Sequence, residues 1–121
     1  LFDARGFICQ MDLWDGNYEL AMNGAISLYN YARDTKSEYG LICCNENLGL
    51  IYQEIHRDSD AIVAYREGLD LLQKRGDNPK FEMQYMGNLI ESYLRTDHFT
   101  EAKELLTRYD EMIQDREREN E

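Results

Sequence analysis

The feature that most constrains this chain is a sequence pattern that returns after about 41 residues. Residues 47–52 read Asn-Leu-Gly-Leu-Ile-Tyr, and residues 88–93 read Asn-Leu-Ile-Glu-Ser-Tyr. In each copy an alanine follows nine positions after the tyrosine, at Ala61 and at Ala102. A fixed period of this length is typical of stacked supersecondary units. Such stacks display surfaces and rarely perform chemistry, so the pattern favours a binding function.

Helical periodicity runs through the whole sequence, and no segment shows the sustained alternation of a β-strand. A fainter copy of the repeat, with Gly16, Tyr18 and Ala21, precedes the other two. Short connections place consecutive helices antiparallel. We therefore expect an all-α fold of six antiparallel helices, with approximate bounds 2–14, 18–33, 38–54, 59–74, 79–95 and 99 onwards.

Capping residues mark several of these helix ends. Ser37 and Asn78 are predicted N-caps, and Pro79 suits the first helical position after Asn78. Gly76 suits the left-handed position that ends a helix. Asp58 is the expected cap of the fourth helix.

The net charge bears on the class of partner. The 121 residues include 24 acidic and 13 basic side chains, for a net charge of −11. This excess argues against nucleic acid or an anionic membrane surface, which both attract basic faces. It suits a basic or neutral polypeptide partner, and it equally suits an acidic surface that only maintains solubility. No stretch approaches the roughly 20 apolar residues of a membrane span.

Cysteines and termini bear on the compartment. Cys9, Cys43 and Cys44 form an odd set, and the adjacent pair point about 100° apart on a helix, so we expect free thiols that serve packing. The N-terminus lacks both an initiator methionine and a signal peptide. We expect a cytoplasmic protein, and either a processed start or, as we favour, a chain cut from a longer one.

Residues suited to catalysis or metal binding form no recognisable constellation. His56 and His98 are far in sequence from the cysteines, and no zinc spacing is present. The sequence also lacks a nucleophile–histidine arrangement and a glycine-rich phosphate loop. We expect no enzymatic activity, no metal and no cofactor.

The three units together resemble the tetratricopeptide repeat (TPR) family. That family places a large apolar residue, a small residue and a tyrosine in the first helix, glycine and an aromatic residue near the turn, and alanine in the second helix. The departures are Asp12 for tyrosine, His56 and Asp97 for the turn glycine, and Ile90 for the small residue. The matching positions are Ile8, Cys9, Asp12, Gly16, Tyr18 and Ala21, then Leu48, Gly49, Tyr52, His56, Asp58 and Ala61, then Leu89, Ile90, Tyr93, Asp97, Phe99 and Ala102.

The resemblance implies a single TPR domain over residues 1–121. Its units would span about 1–36, 37–77 and 78–119, stacked as an alpha-alpha superhelix, or solenoid, of three helix hairpins. The usual TPR period is about 34 residues. The longer period here is similar to the long-helix subgroup found in kinesin light chains, spindle-orientation adaptors, bacterial peptide receptors and bacterial sensors.

In that family the first helix of each unit lines a concave groove that binds a protein or peptide segment. Asn47 and Asn88 occupy equivalent positions, where an amide can pair with a peptide backbone. They equally suit bonds between neighbouring helices or exposure to solvent. Arg95 is either a groove cation or a partner of Glu91. The predicted groove residues are Asn47, Asn88, Leu50, Gln53, Gln84, Glu91 and Arg95, with Gln10, Leu13, Cys43, Glu46 and Gly87 nearby.

A second way in which the family binds partners is a grip on a C-terminal carboxylate by concave lysine or arginine residues. The corresponding positions here are Gly6, Glu46 and Gly87, none of which is basic. We therefore exclude that type of ligand.

Two functions remain open. The first is a non-catalytic scaffold that binds a protein or peptide in its groove. The alternative is a sensory, coupling or dimerisation module of a multidomain bacterial signalling protein with a fused kinase, cyclase or transcription regulator. For the alternative, the last helix would carry an apolar end interface that forms a homodimer or docks a further domain. The charged run 115–121 is then a helical lead, or else a frayed tail. The predicted end interface contains Leu105, Tyr109, Met112 and Ile113, beside Leu106.

Overall fold

A computed structural model describes residues 1–119, and every regular element in this range is an α-helix. As predicted, these residues form six helices and no strand. Predicted and observed bounds coincide for the first, third and fifth helices. The helices are α1 (Phe2–Trp14), α2 (Tyr18–Asp34), α3 (Glu38–Glu54), α4 (Asp58–Arg75), α5 (Pro79–Arg95) and α6 (Phe99–Glu119).

Most predicted caps are confirmed. The Ser37 hydroxyl accepts a hydrogen bond from the backbone of Gly40 at 3.0 Å, and Asn78 caps α5 through the backbone of Phe81 at 3.1 Å. Gly76 ends α4 with a left-handed φ of 66°. The cap predicted at Asp58 is wrong.

The N-cap of α4 is Arg57, whose side chain makes no capping bond, and Asp58 is the first helical residue. The carboxylate of Asp58 instead interacts with α5, where Arg95 and Ser92 lie within 3.5 Å. Contact with α5, which sequence spacing does not reveal, therefore takes this side chain away from the helix end.

Each of the five interhelical turns contains a residue with a positive φ. Gly16, His56 and Asp97 each follow the first helix of a hairpin, with φ values of 84°, 62° and 61°. Lys36, between α2 and α3, also has a positive φ of 55°. A positive φ costs a side-chain-bearing residue about 1–2 kcal/mol. The two residues that replace glycine in the sequence pattern therefore retain the turn geometry that glycine provides.

Each helix packs against the next one along the chain, and α1 also lies against α3. The main core lies between α3, α4, α5 and α6, around the fully buried side chains of Tyr65 and Tyr85. Their rings meet edge to face with centroids 6.0 Å apart. The Tyr85 hydroxyl also donates a hydrogen bond to the backbone carbonyl of Ile42, which joins α5 to α3.

Small residues permit these close contacts. A Cβ atom at Gly49 would overlap the ring of Tyr65, and one at Gly68 would overlap the hydroxyl of Tyr85. The predicted small positions Ala61 and Ala102 are both buried. Gly49, a small position of the sequence pattern, is thus a place where α3 admits a large side chain from α4.

All three cysteines are buried and unpaired, as predicted. Burial raises the pKa of Cys43 to about 11 and that of Cys44 to about 12. Both residues are therefore neutral thiols at physiological pH, and thiolate chemistry is suppressed. Within the described range, no helix combines the length and apolar character needed to cross a membrane.

Candidate functional site

Helices α1, α3 and α5 together form one face of the molecule, which contains two adjoining cavities. The larger, which we call the wide groove, has a volume of about 540 Å³. The smaller, which we call the phenylalanine pocket, has a volume of about 160 Å³. Gln10 borders both, so the two cavities adjoin at this side chain. The wide groove is lined by Gln10, Leu13, Trp14, Tyr18, Leu50, Gln53, Glu54, His56, Asn88, Glu91 and Arg95.

The wide groove collects five of the seven predicted groove residues from α3 and α5. The lining also includes three aromatic side chains that were not predicted, Trp14, Tyr18 and His56. Trp14 and Tyr18 are exposed and flank the turn between α1 and α2. The sequence analysis missed these two residues because helical periodicity alone does not show that a helix end borders a cavity. The five predicted members are Leu50, Gln53, Asn88, Glu91 and Arg95.

Arg95 lies in the wide groove but is already paired. One guanidinium nitrogen lies 2.7 Å from Glu91, and the other lies 3.5 Å from Asp58. Of the two roles left open for Arg95, the structure therefore shows the intrahelical ion pair. The guanidinium is still about half exposed, so the pair contributes little to stability.

Behind the groove, a buried chain of hydrogen bonds fixes α3 against α5. Tyr65 donates to the amide oxygen of Gln53 at 2.8 Å. The amide nitrogen of Gln53 donates to Ser92 at 2.7 Å and to the backbone carbonyl of Asn88 at 3.0 Å. Gln53 is only 8% exposed. Its amide therefore positions the two helices that carry the groove, and it has little surface left for a ligand.

The phenylalanine pocket lies farther along the same face, towards the start of α1. Asn47 is only 5% exposed, and its amide oxygen accepts a hydrogen bond from Gln10 at 2.8 Å. Gln84 of α5 reaches Glu46 of α3 at 3.3 Å. These two contacts tie α3 to both of its neighbours across the face. The pocket is lined by Phe2, Asp3, Gly6, Phe7, Gln10, Cys43, Glu46, Asn47 and Phe81.

Asn47 and Asn88 therefore do not share one cavity. Asn47 borders the phenylalanine pocket and bonds across to α1, as one of the alternatives predicts, while Asn88 borders the wide groove. Gln10 is the link between them, since it lines both cavities. Pairing of the two asparagines with a peptide backbone stays a prediction.

The electrostatics of the pocket are acidic. Burial raises the pKa of Glu46, and no cation offsets this effect. Asp3 accepts hydrogen bonds from the Tyr39 hydroxyl at 2.8 Å and from the Cys43 thiol at 3.5 Å. The hydrogen bond to Asp3 in turn raises the pKa of Tyr39. The pocket thus suits a cationic or hydrogen-bond-donating ligand.

The predicted end interface on α6 faces largely inwards. Leu105, Tyr109 and Met112 are partly buried and pack against the main core, and Ile113 is also partly buried. Leu106 is the more accessible side chain, at 46% exposed. Helix α6 continues through Glu119, and residues 120 and 121 of the charged run lie outside the described range. A homodimer through this helix stays a prediction.

Residues 1–119 contain no group of three or more histidine, cysteine or acidic side chains arranged to hold a metal ion. No protein-family model matches the chain, and no curated protein matches it either.

Proposed function

We propose that this protein is a non-catalytic scaffold that binds an extended protein or peptide segment along the face formed by α1, α3 and α5. The observation that carries the proposal is the pair of adjoining cavities on this face, the wide groove and the phenylalanine pocket, which share Gln10 as a border. Together they offer apolar, amide and charged contacts side by side. Such a surface can pair with a backbone and also select side chains.

We further propose that the six helices form a short TPR-like solenoid. Two features support this arrangement. The turn positions Gly16, His56 and Asp97 share a left-handed backbone, and they recur at intervals of 40 and 41 residues. The small positions Ala21, Ala61 and Ala102 are all buried at the same intervals. In such a stack, the first helices of successive hairpins lie side by side, so one extended segment can cross all three.

A selection experiment tests the binding function. A displayed library of random 12-residue peptides is selected against the full chain, and the enriched peptides are tested against two variants. Leu50→Lys places a charge in the wide groove. Val63→Lys makes the same chemical change on α4, where Val63 is 67% exposed and lies outside both cavities.

We expect Leu50→Lys to weaken the enriched peptides at least about tenfold, while Val63→Lys leaves their affinity unchanged. Equal affinity for both variants would contradict the proposal. Enrichment of no peptide above a control protein would contradict it as well.

The second candidate function is coupling or dimerisation, and a third cavity favours it. An open apolar cavity of about 580 Å³ lies between α1 and α2. Ile8, Leu20 and Tyr31 border it and are each at least half exposed. Exposed apolar surface of this kind often marks an interface. Light scattering of the chain and of Leu20→Glu tests this function, since a dimer that the substitution dissociates would support it.

A further inference from the structure

The phenylalanine pocket contains two carboxylates that no cation balances. Asp3 of α1 and Glu46 of α3 both border the cavity, and neither takes part in an ion pair within residues 1–119. The side-chain hydrogen bonds that they accept come from the neutral groups of Tyr39, Cys43 and Gln84. Glu46 is partly buried, and partial burial of a carboxylate without a positive partner costs free energy that a cation entering the pocket would recover.

Aromatic rings supply the other walls of the pocket. Phe2 and Phe7 come from α1 and Phe81 comes from α5. Phe7 is more than half exposed, and its ring meets Trp14 edge to face at 6.2 Å. The faces of such rings attract cations. A guanidinium is planar, stacks on aromatic rings and pairs with carboxylates through two hydrogen bonds, whereas an ammonium is a compact and strongly hydrated point charge.

The amide of Asn47 adds an independent signal. Its oxygen is occupied by Gln10, but its nitrogen lies beside Gly6 and donates no hydrogen bond within residues 1–119. The side chain is nevertheless more than nine-tenths buried at the wall of the pocket. No side-chain nitrogen or oxygen of residues 1–119 is fully buried without a partner, so this nitrogen keeps some accessible surface. It is therefore free to donate to a backbone carbonyl of a bound segment.

We propose that the phenylalanine pocket receives an arginine side chain of the bound segment. The guanidinium lies between Asp3 and Glu46 and against the phenylalanine rings, and the amide nitrogen of Asn47 donates to a carbonyl of the segment. The proposal rests on the proposed function, since it names the chemistry of the segment that the α1–α3–α5 face takes. The net charge of −11 also favours the approach of a basic segment.

A pair of matched probes isolates the charge. Acetyl-arginine-amide and acetyl-citrulline-amide have nearly the same shape, but only the first is a cation. Each is titrated into the isotope-labelled chain and followed by amide chemical shifts. We expect the arginine probe to shift amides around the pocket on α1, α3 and α5. It should bind at least about tenfold more tightly than the citrulline probe.

A matched pair of protein variants then assigns the effect. Glu46→Gln removes one of the two pocket charges while keeping the side-chain shape, and Glu111→Gln removes one charge from the exposed surface of α6. Glu46→Gln should reduce the preference for arginine over citrulline, while Glu111→Gln should leave it unchanged. Asp3→Asn, at an exposed position, provides a second pocket variant that is expected to fold normally and to weaken the arginine probe.

Three results would overturn the assignment: equal binding of the two probes, shifts that map outside the pocket, or an unchanged arginine preference in Glu46→Gln. Failure of the pocket differs from failure of the binding function. Selected peptides that depend on Leu50 but tolerate replacement of every arginine by citrulline would refute the pocket alone. Selected peptides that ignore Leu50 would refute the scaffold itself.

Discussion

Gly68→Ala tests the close packing that sets the spacing of α4 and α5. The added Cβ would overlap the hydroxyl and ring carbons of Tyr85. Tyr85 is fully buried and donates to the carbonyl of Ile42, so its ring cannot move without disturbing that bond. Overpacking of a core costs about 1–3 kcal/mol, and an unsatisfied buried polar group costs a similar amount.

Helix propensity works in the opposite direction, and a control removes it. Alanine is preferred to glycine in a helix by about 0.8–1.0 kcal/mol. Gly87 lies in α5, and a Cβ there meets nothing within 4 Å. Gly87→Ala should therefore be stabilising by about 1 kcal/mol. Allowing for the same gain, Gly68→Ala should be destabilising by up to about 2 kcal/mol, so the two variants should differ by about 1–3 kcal/mol.

Urea unfolding followed by circular dichroism measures both variants on one scale, because the midpoint and slope give the free energy of unfolding. The comparison is informative even if the absolute values shift, since both substitutions are glycine to alanine within a helix. Equal stabilisation by the two would refute the close approach of Tyr85 to α4.

Three further outcomes are expected. His56→Gly should stabilise the chain by about 0.5–1 kcal/mol in urea unfolding, because glycine removes the cost of a left-handed residue, and His56→Ala should bring no such gain. Burial raises the pKa of Glu46 in the folded chain, so the charged form of this side chain opposes folding at neutral pH. Glu46→Gln should therefore stabilise the protein at neutral pH. A pH series should show this gain vanish below about pH 4, where Glu46 is protonated in the unfolded chain as well. The flanking Cys43, Tyr65 and Tyr85 have raised pKa values and do not titrate there. Thiol titration of the denatured, unreduced protein should find three free groups, and one group would indicate a disulfide.

Local sequence signals were sufficient for the helices. The apolar periodicity and the caps at Ser37, Gly76 and Asn78 depend on residues within a few positions of each other, so they can be read without knowledge of tertiary structure. Asp58 shows the limit of that reasoning. It has the right type and place for a cap, but the side chains of Ser92 and Arg95 on another helix engage its carboxylate instead.

Sequence periodicity indicates a common face for the groove residues but not its detail. Leu50 and Asn88, which periodicity predicts on one face, line the same cavity. Periodicity does not reveal that the amide of Gln53 is already engaged in a buried hydrogen-bond network with Tyr65. Nor does it reveal the phenylalanine pocket, because that pocket depends on how deeply α1 packs against α3 and how near Phe81 of α5 comes.

The most direct test of the proposed scaffold is to map where a selected peptide binds. The tightest 12-residue peptide from the library is added to the isotope-labelled chain, and amide shifts are recorded to saturation. The account predicts that the largest shifts lie on α1, α3 and α5, and that they include Leu50 and Asn88. Shifts concentrated on the outer surfaces of α2, α4 and α6 would contradict it.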